Sequence, residues 1–190
     1  GGLLESAVQI AGKFTPEGTI IAFTETRYGK KERKYFTAHG KIHHENLPLV
    51  ILINRNSASG AEIVAGALKD LRRAVLIGER SFGKGSVQSV QAVDITIDPP
   101  VGIRLTTAKY YTPSARVIHK KGIEPDIPMT LTQEETDKVL FHQTTFRLPP
   151  DEQAKIPASN DRQIERARII LQGLLLNAKT TVSHAPAPQR

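Results

Sequence analysis

Residues 47–84 read LPLVILINRNSASGAEIVAGALKDLRRAVLIGERSFGK, and this stretch decides the fold. The run at 47–54 is almost continuously apolar, as in a strand that is buried on both faces. Residues 60–68 carry small and apolar side chains at helical spacing, and we expect that helix to end near Asp70. Residues 74–78 (AVLIG) predict a second short buried strand. A strand, a helix and a strand in this order make a βαβ unit, whose strands are parallel.

The residues on either side of this unit predict further elements. Residues 3–14 have apolar side chains at a helical period, and residues 19–24 and 34–37 predict two strands. Downstream, SVQSVQAV and GIRLTTAKYY alternate in a way that is typical of an antiparallel layer. The expected fold class is α/β, with a mostly parallel core sheet followed by C-terminal helices.

The last third of the chain predicts two helices and a tail. The stronger helix candidate covers residues 162–179. Its predicted apolar stripe consists of Ile164, Ala167, Ile170, Leu171 and Leu174. The final residues, TTVSHAPAPQR, have the composition of a disordered tail.

Charge and composition exclude several kinds of site. The net charge is +7 and the pI is near 9.7, so an anionic partner has to be considered. The densest basic run, residues 27–34 (RYGKKERK), has no aromatic–basic module beside it, and we interpret it as a solvated hairpin tip. The absence of Cys excludes disulfides, thiolate zinc sites and Cys nucleophiles. No apolar run reaches about 18 residues, so we predict no membrane span.

Ser59 lies in NRNSASGAEI, at the sharp junction between the first predicted strand and the helix. A serine held there has its hydroxyl outside the core, and the N–H of Gly60 points to the same place from the helix N-terminus. This is the arrangement of a nucleophile elbow with one oxyanion donor. The simpler interpretation is that Ser57 or Ser59 only caps the helix. The segment alone does not decide between the two.

A nucleophilic serine needs a base close by. Lys84 lies between Gly83 and Gly85 shortly after the second strand, where close backbone approach can direct its amine into the fold. A lysine acts as a base only when it is neutral, a state that desolvation promotes by lowering the pKa. A lysine between glycines is also the ordinary composition of a solvated turn.

A Ser-His-Asp triad has no support, since no histidine lies in an apolar or glycine-rich frame. The histidines are His39, His43, His44, His119, His142 and His184.

Two other motifs include the same lysine. Residues 78–84 (GERSFGK) fit G-x-x-x-x-G-K, the phosphate-binding loop, but Gly85 stands where Ser or Thr is required and a strand follows instead of a helix. Ser81 and Lys84 fit the S-x-x-K of penicillin-recognising enzymes, but SFGKG is a poor helix and no S-D-N or K-T-G accompanies it. Both interpretations fail on their sequence context.

Taken together, the motifs resemble the C-terminal processing peptidases, also called tail-specific or carboxyl-terminal proteases. The resemblance runs through GGLLESAV, LVILINRNSASGAEIVAGALKD, RRAVLIGERSFGKGSVQ, LTTAKYYTPSARVIH and GIEPDI, in the family's order and spacing. It covers residues 1–128. Any one piece would be weak evidence, whereas five in order are a highly specific match.

The resemblance implies a serine endopeptidase that cleaves proteins near their C-termini through a Ser–Lys dyad and an acyl-enzyme. Ser59 would be the nucleophile, Lys84 the general base and Gln88 a third member that orients the lysine. The implied fold is an α/β spiral related to the crotonase and Clp folds. The implied partners are proteins or peptides with apolar C-termini, with no nucleic acid and no membrane span. An oligomer is compatible with the sequence.

The same resemblance assigns the supporting residues. The N–H groups of Gly60 and Gly2 would form the oxyanion hole, and Glu62 would have a supporting structural role at the turn. No cofactor and no metal are implied. The implied compartment is the periplasm or the cell envelope.

The chain also departs from the family pattern. The family's PDZ domain and a strand of the catalytic domain are expected upstream of residue 1. Ala115 stands where the family usually has Gly, and Gly60-Ala61 replaces a more usual Ala-Ser. We expect residues 1–130 to be part of the catalytic domain, 131–180 a helical extension and 181–190 a disordered tail.

Two alternatives stay open at this stage. In the first, the chain is a catalytically inert fragment or a peptide-binding relative of the same family. A nucleotide- or nucleic-acid-binding protein is the other alternative, motivated by GERSFGK and the positive charge.

Overall fold

The computed structural model describes residues 1–26, 31–40, 44–94, 101–145, 149–153 and 161–183. Its helices and strands are, in chain order, α1 (Leu4–Gly12), β1 (Ile20–Thr26), β2 (Arg33–Thr37), β3 (Val50–Ile53), α2 (Gly60–Asp70), β4 (Val75–Gly78), β5 (Ser86–Asp94), β6 (Val101–Tyr111), β7 (Ile127–Pro128), α3 (Gln133–Thr145), α4 (Pro150–Gln153) and α5 (Arg162–Ser183).

The strands form two sheets of different kinds. A three-stranded parallel sheet has the order β3-β4-β7, with Val50 opposite Val75 and Ile77 opposite Ile127. Together with α2 it confirms the predicted βαβ unit. A four-stranded sheet has the order β2-β1-β6-β5, and its strand pairs are antiparallel.

The expectation of a mostly parallel core sheet therefore does not hold for the described residues, because the larger sheet is antiparallel. The parallel signal was local to the βαβ unit. β5 and β6 are too close along the chain for the crossover that parallel strands need, so they pair as neighbouring antiparallel strands. The relation to a crotonase or Clp spiral stays a prediction.

The prediction that residues 47–54 form a strand buried on both faces is wrong. β3 is shorter than that run and lies at the edge of its sheet. Leu52 on β3 is 38% exposed, and Leu47, which precedes the strand, is 53% exposed. An edge position leaves one side of the strand without a neighbouring strand, which an apolar run in the sequence does not reveal.

The hydrophobic core is built from small and branched side chains. α1 packs against α2, and both contact β1. Ala11, Ile21, Leu68 and Leu76 are almost completely buried in this cluster. α2 also approaches the segment after β6 closely, since a Cβ added at Gly66 would lie 2.8 Å from the Thr112 side chain. These contacts hold α2, which begins directly after Ser59, against the core.

α5 packs against β3 and β4, but its buried face differs from the predicted stripe. Ala167 is buried as expected, whereas Ile164 is 48% exposed and Gln163 takes a buried position. The reason is polar: Gln163 Nε2 donates a 2.7 Å hydrogen bond to the carbonyl of Met129. Hydrophobic periodicity cannot detect a glutamine that is buried by a backbone partner.

The remaining expectations fall partly outside the described residues. α5 extends to Ser183, so residues 181–183 are helical, and the rest of the predicted tail, 184–190, lies outside them. Residues 31–34 of the basic run are exposed, the last two of them as the start of β2, and residues 27–30 lie outside the described residues. No helix in the described ranges has both the length and the apolar character needed to cross a bilayer.

Candidate active site

Ser59 lies at the turn between β3 and α2 in a strained conformation. Its φ is +59° and its ψ is −122°, which a side-chain-bearing residue rarely adopts. Ser59 is the N-cap residue of α2, as the simpler interpretation had it, but an ordinary N-cap has extended dihedral angles. The strained turn from strand to helix is the geometry expected of a nucleophile elbow.

The turn that precedes Ser59 is held by its own polar groups. The N–H of Ser57 donates to the carbonyl of Asn54 at 2.9 Å, and the N–H of Asn54 donates to Ser57 Oγ at 3.2 Å. The N–H of Asn56 donates to Asn54 Oδ1 at 2.9 Å. Ser57 therefore serves the turn, and the helix N-terminus is left to Ser59.

Glu62 is a completely buried carboxyl group that joins this turn to the loop of Lys84. Its Oε2 accepts the N–H of Ser59 at 2.9 Å and the N–H of Lys84 at 2.8 Å. Because both bonds end on one oxygen, the two backbone nitrogens lie within the summed length of two hydrogen bonds. Glu62 thus brings together the main chain of the two residues that the sequence singled out as nucleophile and base.

The other oxygen of Glu62 is also fully used. Glu62 Oε1 accepts the hydroxyl of Ser81 at 2.5 Å and the N–H of Gly83 at 2.6 Å. Ser81 Oγ in turn accepts the N–H of Ile123 at 2.7 Å, so its single proton is directed to Glu62. Four donors therefore meet a carboxylate, which has about four acceptor positions.

The loop that carries Lys84 is packed tightly on a second loop. The N–H of Lys120 donates to the carbonyl of Gly83 at 2.8 Å, and a Cβ added at Gly83 would lie 3.0 Å from the nitrogen of Gly122. Gly83 has a φ of +89°, so glycine is required there for both reasons. The backbone of Lys84 is fixed, while its side chain is exposed.

The sequence did not predict that Glu62 accepts hydrogen bonds from Ser81 and from the loop of Lys84. Ser81 was considered only as part of S-x-x-K, and residues 79–85 contain no helix that would give that motif its geometry. The phosphate-loop interpretation fails as well, since Lys84 is followed by β5 and not by a helix. The available signal was Glu62 itself, one turn before Gly66 on the apolar face of α2.

The predicted oxyanion residues lie side by side. Gly60 is buried in the first turn of α2, and a Cβ added to it would lie 3.0 Å from the carbonyl oxygen of Gly2. A Cβ added at Gly1 would lie 2.8 Å from the carbonyl oxygen of Ala58. The start of the chain is therefore packed against the Ser59 turn with glycine-sized separation.

Gln88 is the predicted residue that the structure does not join to the others. It lies on β5 opposite Thr106 with an exposed side chain. The pairing of β5 with β6 shifts between Val87 and Gln88, which interrupts the regular alternation after Lys84. The hydrogen bonds found among the described residues do not connect Gln88 to Lys84 or Ser59.

His119 lies on the loop that packs against the loop of Lys84. Tyr110 on β6 joins the two loops, because its N–H donates to the carbonyl of Gly85 and its carbonyl accepts the N–H of Ile118. Burial raises the pKa of the Tyr110 hydroxyl. His39, His44 and His142 lie after β2, before β3 and on α3, and His43 and His184 are outside the described residues. No group of three or more His, Asp or Glu residues in the described part could hold a metal ion.

Comparison with known proteins identifies the family of the chain. The profile of Peptidase family S41 matches residues 1–129. The chain is 46% identical over 126 residues to the carboxyl-terminal-processing protease of Synechocystis sp., an alignment that covers 66% of this chain and 28% of that protein. It is 30% identical over 175 residues to a CtpA-like serine protease of Staphylococcus epidermidis, covering 92% of this chain and 33% of that one.

A solved structure is similar to this chain in both fold and sequence. The photosystem II D1 C-terminal processing protease superposes with a TM-score of 0.58 at 37% identity, over 68% of this chain and 32% of that chain. The chain thus spans about a third or less of the length of these relatives. It belongs to peptidase family S41, as a relative of the carboxyl-terminal-processing proteases.

Proposed function

We propose that the protein containing this chain is a serine endopeptidase that cleaves other proteins near their C-termini, with Ser59 as nucleophile and Lys84 as general base. The observation that carries the proposal is the Glu62 carboxylate, which accepts the N–H groups of both residues on one oxygen. The strained backbone of Ser59 at the strand-to-helix turn supports it independently.

The proposed reaction is acyl transfer. The neutral amine of Lys84 removes the proton of Ser59 Oγ as this oxygen attacks the peptide carbonyl, and the resulting ammonium returns the proton to the leaving amine. Water then attacks the acyl-enzyme ester, and its proton is transferred through the same amine. Because the Lys84 side chain is exposed, the bound substrate chain has to cover it so that the neutral amine is favoured.

In this proposal the N–H groups of Gly60 and Gly2 stabilise the oxyanion of the tetrahedral intermediate. The close approach of these two glycines is consistent with that role. Gln88 would orient the amine of Lys84 after substrate binding, a step that requires its exposed side chain to turn toward the lysine. The reaction needs no metal and no cofactor.

The proposed substrates are proteins or peptides with apolar C-termini, and the proposed compartment is the periplasm or the cell envelope. Both follow from the family alone. The relatives are named as C-terminal processing proteases, one of them for the photosystem II D1 protein.

The test is cleavage of an unstructured polypeptide by the full-length protein and four variants. Ser59→Ala and Lys84→Ala are each expected to reduce kcat/KM by at least about a thousandfold. Ser6→Ala and Lys13→Ala, which change an exposed Ser and an exposed Lys on or next to α1, are the matched controls and are expected to leave it unchanged. Retention of cleavage by Ser59→Ala would exclude the proposed nucleophile.

The exposed Lys84 side chain also favours a second candidate, a relative that binds peptide C-termini without cleaving them. In that case the full-length protein and its Ser59→Ala variant bind the same peptides with equal affinity, and neither produces fragments. Mass spectrometry of the peptide after incubation separates the two candidates.

A further inference from the structure

A cavity of about 660 Å³ lies on the other side of the loop that supports Lys84. It is bordered by the C-terminal half of α2, the end of β6 and the segment 111–124. Its non-polar lining residues include Gly66, Val117 and Ile123. This volume is in the range of small-molecule sites, and nothing in the proposed peptidase reaction uses it.

The lining of the cavity is strongly cationic. The positively charged residues in it are Lys69, Arg80, Lys109, Arg116, Lys120 and Lys121. The only carboxylates among the described lining residues are Asp70 and Glu124.

Both carboxylates are already engaged by other groups. Asp70 accepts the N–H of Ser114 at 3.0 Å and lies 3.8 Å from Arg116. Glu124 lies 3.7 Å from Arg80. Lys69 is also compensated, because Asp126 lies 2.9 Å from its amine.

Three lysines remain without such compensation. No ion pair between described residues involves Lys109, Lys120 or Lys121. Glu25 lies opposite Lys109 on β1, but its carboxylate pairs with Arg33 at 3.0 Å. Three lysines without an acidic partner thus line one concave surface, and an anion bound there would be attracted by their charges.

The backbone around the cavity is strained at two side-chain-bearing residues. Ala115 has a φ of +62° and Lys120 a φ of +61°, a region that glycine adopts at lower cost. Strained residues of this kind cluster at ligand sites. One of these two strained residues, Lys120, is also one of the three uncompensated lysines that line the cavity.

We propose that this cavity binds a small polyanion, a molecule that carries two or more phosphate or carboxylate groups. The three lysines hold the anionic groups, and the apolar lining residues Val117 and Ile123 contact the body of the molecule. The backbone N–H of Lys120 donates to the carbonyl of Gly83, so a residue that lines this cavity is hydrogen-bonded to the loop of Lys84.

The experiment is calorimetric titration of the full-length protein, at constant ionic strength, with tripolyphosphate and separately with citrate. At least one of the two is expected to bind at one site per chain and to raise the melting temperature. Binding of tripolyphosphate alone assigns phosphate chemistry to the site, and binding of citrate alone assigns carboxylate chemistry. Binding of neither at millimolar concentration would overturn the proposal.

Two pairs of variants distinguish a specific binding site from nonspecific electrostatic attraction to a basic protein. The triple variant Lys109→Gln, Lys120→Gln, Lys121→Gln is expected to weaken binding at least tenfold, whereas Lys13→Gln, Lys34→Gln, Lys138→Gln, which removes as many charges elsewhere, keeps the affinity within twofold. Lys120→Gly and Ala115→Gly both relieve backbone strain and should raise the melting temperature without ligand. Only Lys120→Gly should also weaken binding, and equal weakening by both triple variants would contradict the proposal.

Discussion

Two regions of this protein are stabilised in different ways. The Ser59–Lys84 region, which consists of residues 57–62, 81–84 and 122–123, is held by a buried carboxylate with four donors. The C-terminal helices, α3 to α5, are held by an exposed ion pair between Arg162 and Glu135 and by the bond from Gln163 to Met129. In the first region several polar contacts share one buried carboxylate, whereas the polar contacts of the second are separate from one another and α5 also packs against β3 and β4.

Among the substitutions that test this comparison, Glu62→Gln should have the largest effect on the free energy of unfolding. The amide would present N–H groups to two of the four donors that the carboxylate now accepts. Each buried donor without an acceptor costs about 1–3 kcal/mol, so we expect a loss of about 2–6 kcal/mol in the free energy of unfolding. Urea denaturation of the full-length protein measures it.

The matched control for that substitution is Glu165→Gln on α5, where the carboxylate is exposed. It should change the free energy of unfolding by less than about 0.5 kcal/mol. If the two variants are equally stable, the buried carboxylate does not hold the Ser59–Lys84 region together. If Glu62→Gln is folded, the proposed roles of Ser59 and Lys84 predict that its kcat falls more than its KM rises, because these two side chains lose their alignment.

Replacement of Ser81 by Ala should have the second largest effect. Glu62 Oε1 loses one of its two donors, and the buried N–H of Ile123 loses its acceptor. We expect a cost of about 1–3 kcal/mol. Ser6→Ala on the exposed side of α1 is the control, and a value for Ser81→Ala as small as the control value would mean that a water molecule replaces the hydroxyl.

The sequence predicted the elements that depend on local pattern. The strand–helix–strand order of residues 47–78 follows from hydrophobic spacing, and β5 and β6 follow from alternation. The pairing of Ser59 with Lys84 followed from family motifs and stays a prediction at the level of their side chains. What could not be predicted was the partner of each polar group across the chain, since Glu62 bonds Ser81 and Gly83 through contacts that only the folded chain creates.

The errors have the same origin. β3 was expected to be buried because its residues are apolar, but its place at the sheet edge depends on which strands pair with it. The stripe of α5 was assigned from apolar residues, but Gln163 is buried because a carbonyl of the preceding segment lies within reach of its amide. A hydrophobic pattern describes the residues of one helix or strand. Which of them are buried also depends on the element that packs against it.

In the C-terminal helices we expect smaller effects, and Gln163→Ala tests the largest of them. It removes one hydrogen bond to Met129, which is worth about 0.5–1.5 kcal/mol. Gln172→Ala on the same helix, where the side chain is exposed, is the control and should be neutral. A loss above about 3 kcal/mol for Gln163→Ala would mean that α5 is as firmly integrated as the Ser59–Lys84 region.

The smallest expected effect is the pH dependence of the start of α3. Glu135 accepts the N–H of Thr132 at 2.8 Å and pairs with Arg162 at 3.1 Å, and these bonds hold the pKa of its carboxyl below the ordinary value. A depressed folded-state pKa gives stabilisation that is complete above the unfolded pKa of about 4.3 and is lost as the pH falls through the folded value. The protection factors of the first amides of α3 in hydrogen exchange should therefore fall in that acidic range.

Glu135→Gln separates this titration from other acid effects. Glutamine retains an acceptor for the N–H of Thr132 but carries no charge, so the variant should have slightly lower protection at neutral pH and no step in the acidic range. A step of equal size in the variant would assign it to another carboxyl group, of which Glu134, paired with Lys138 and also lowered in pKa, is the nearest along the helix. Because the bonds of Glu135 are exposed, their loss should loosen the start of α3 and leave the buried Glu62 cluster intact. The two regions should therefore respond separately to acid.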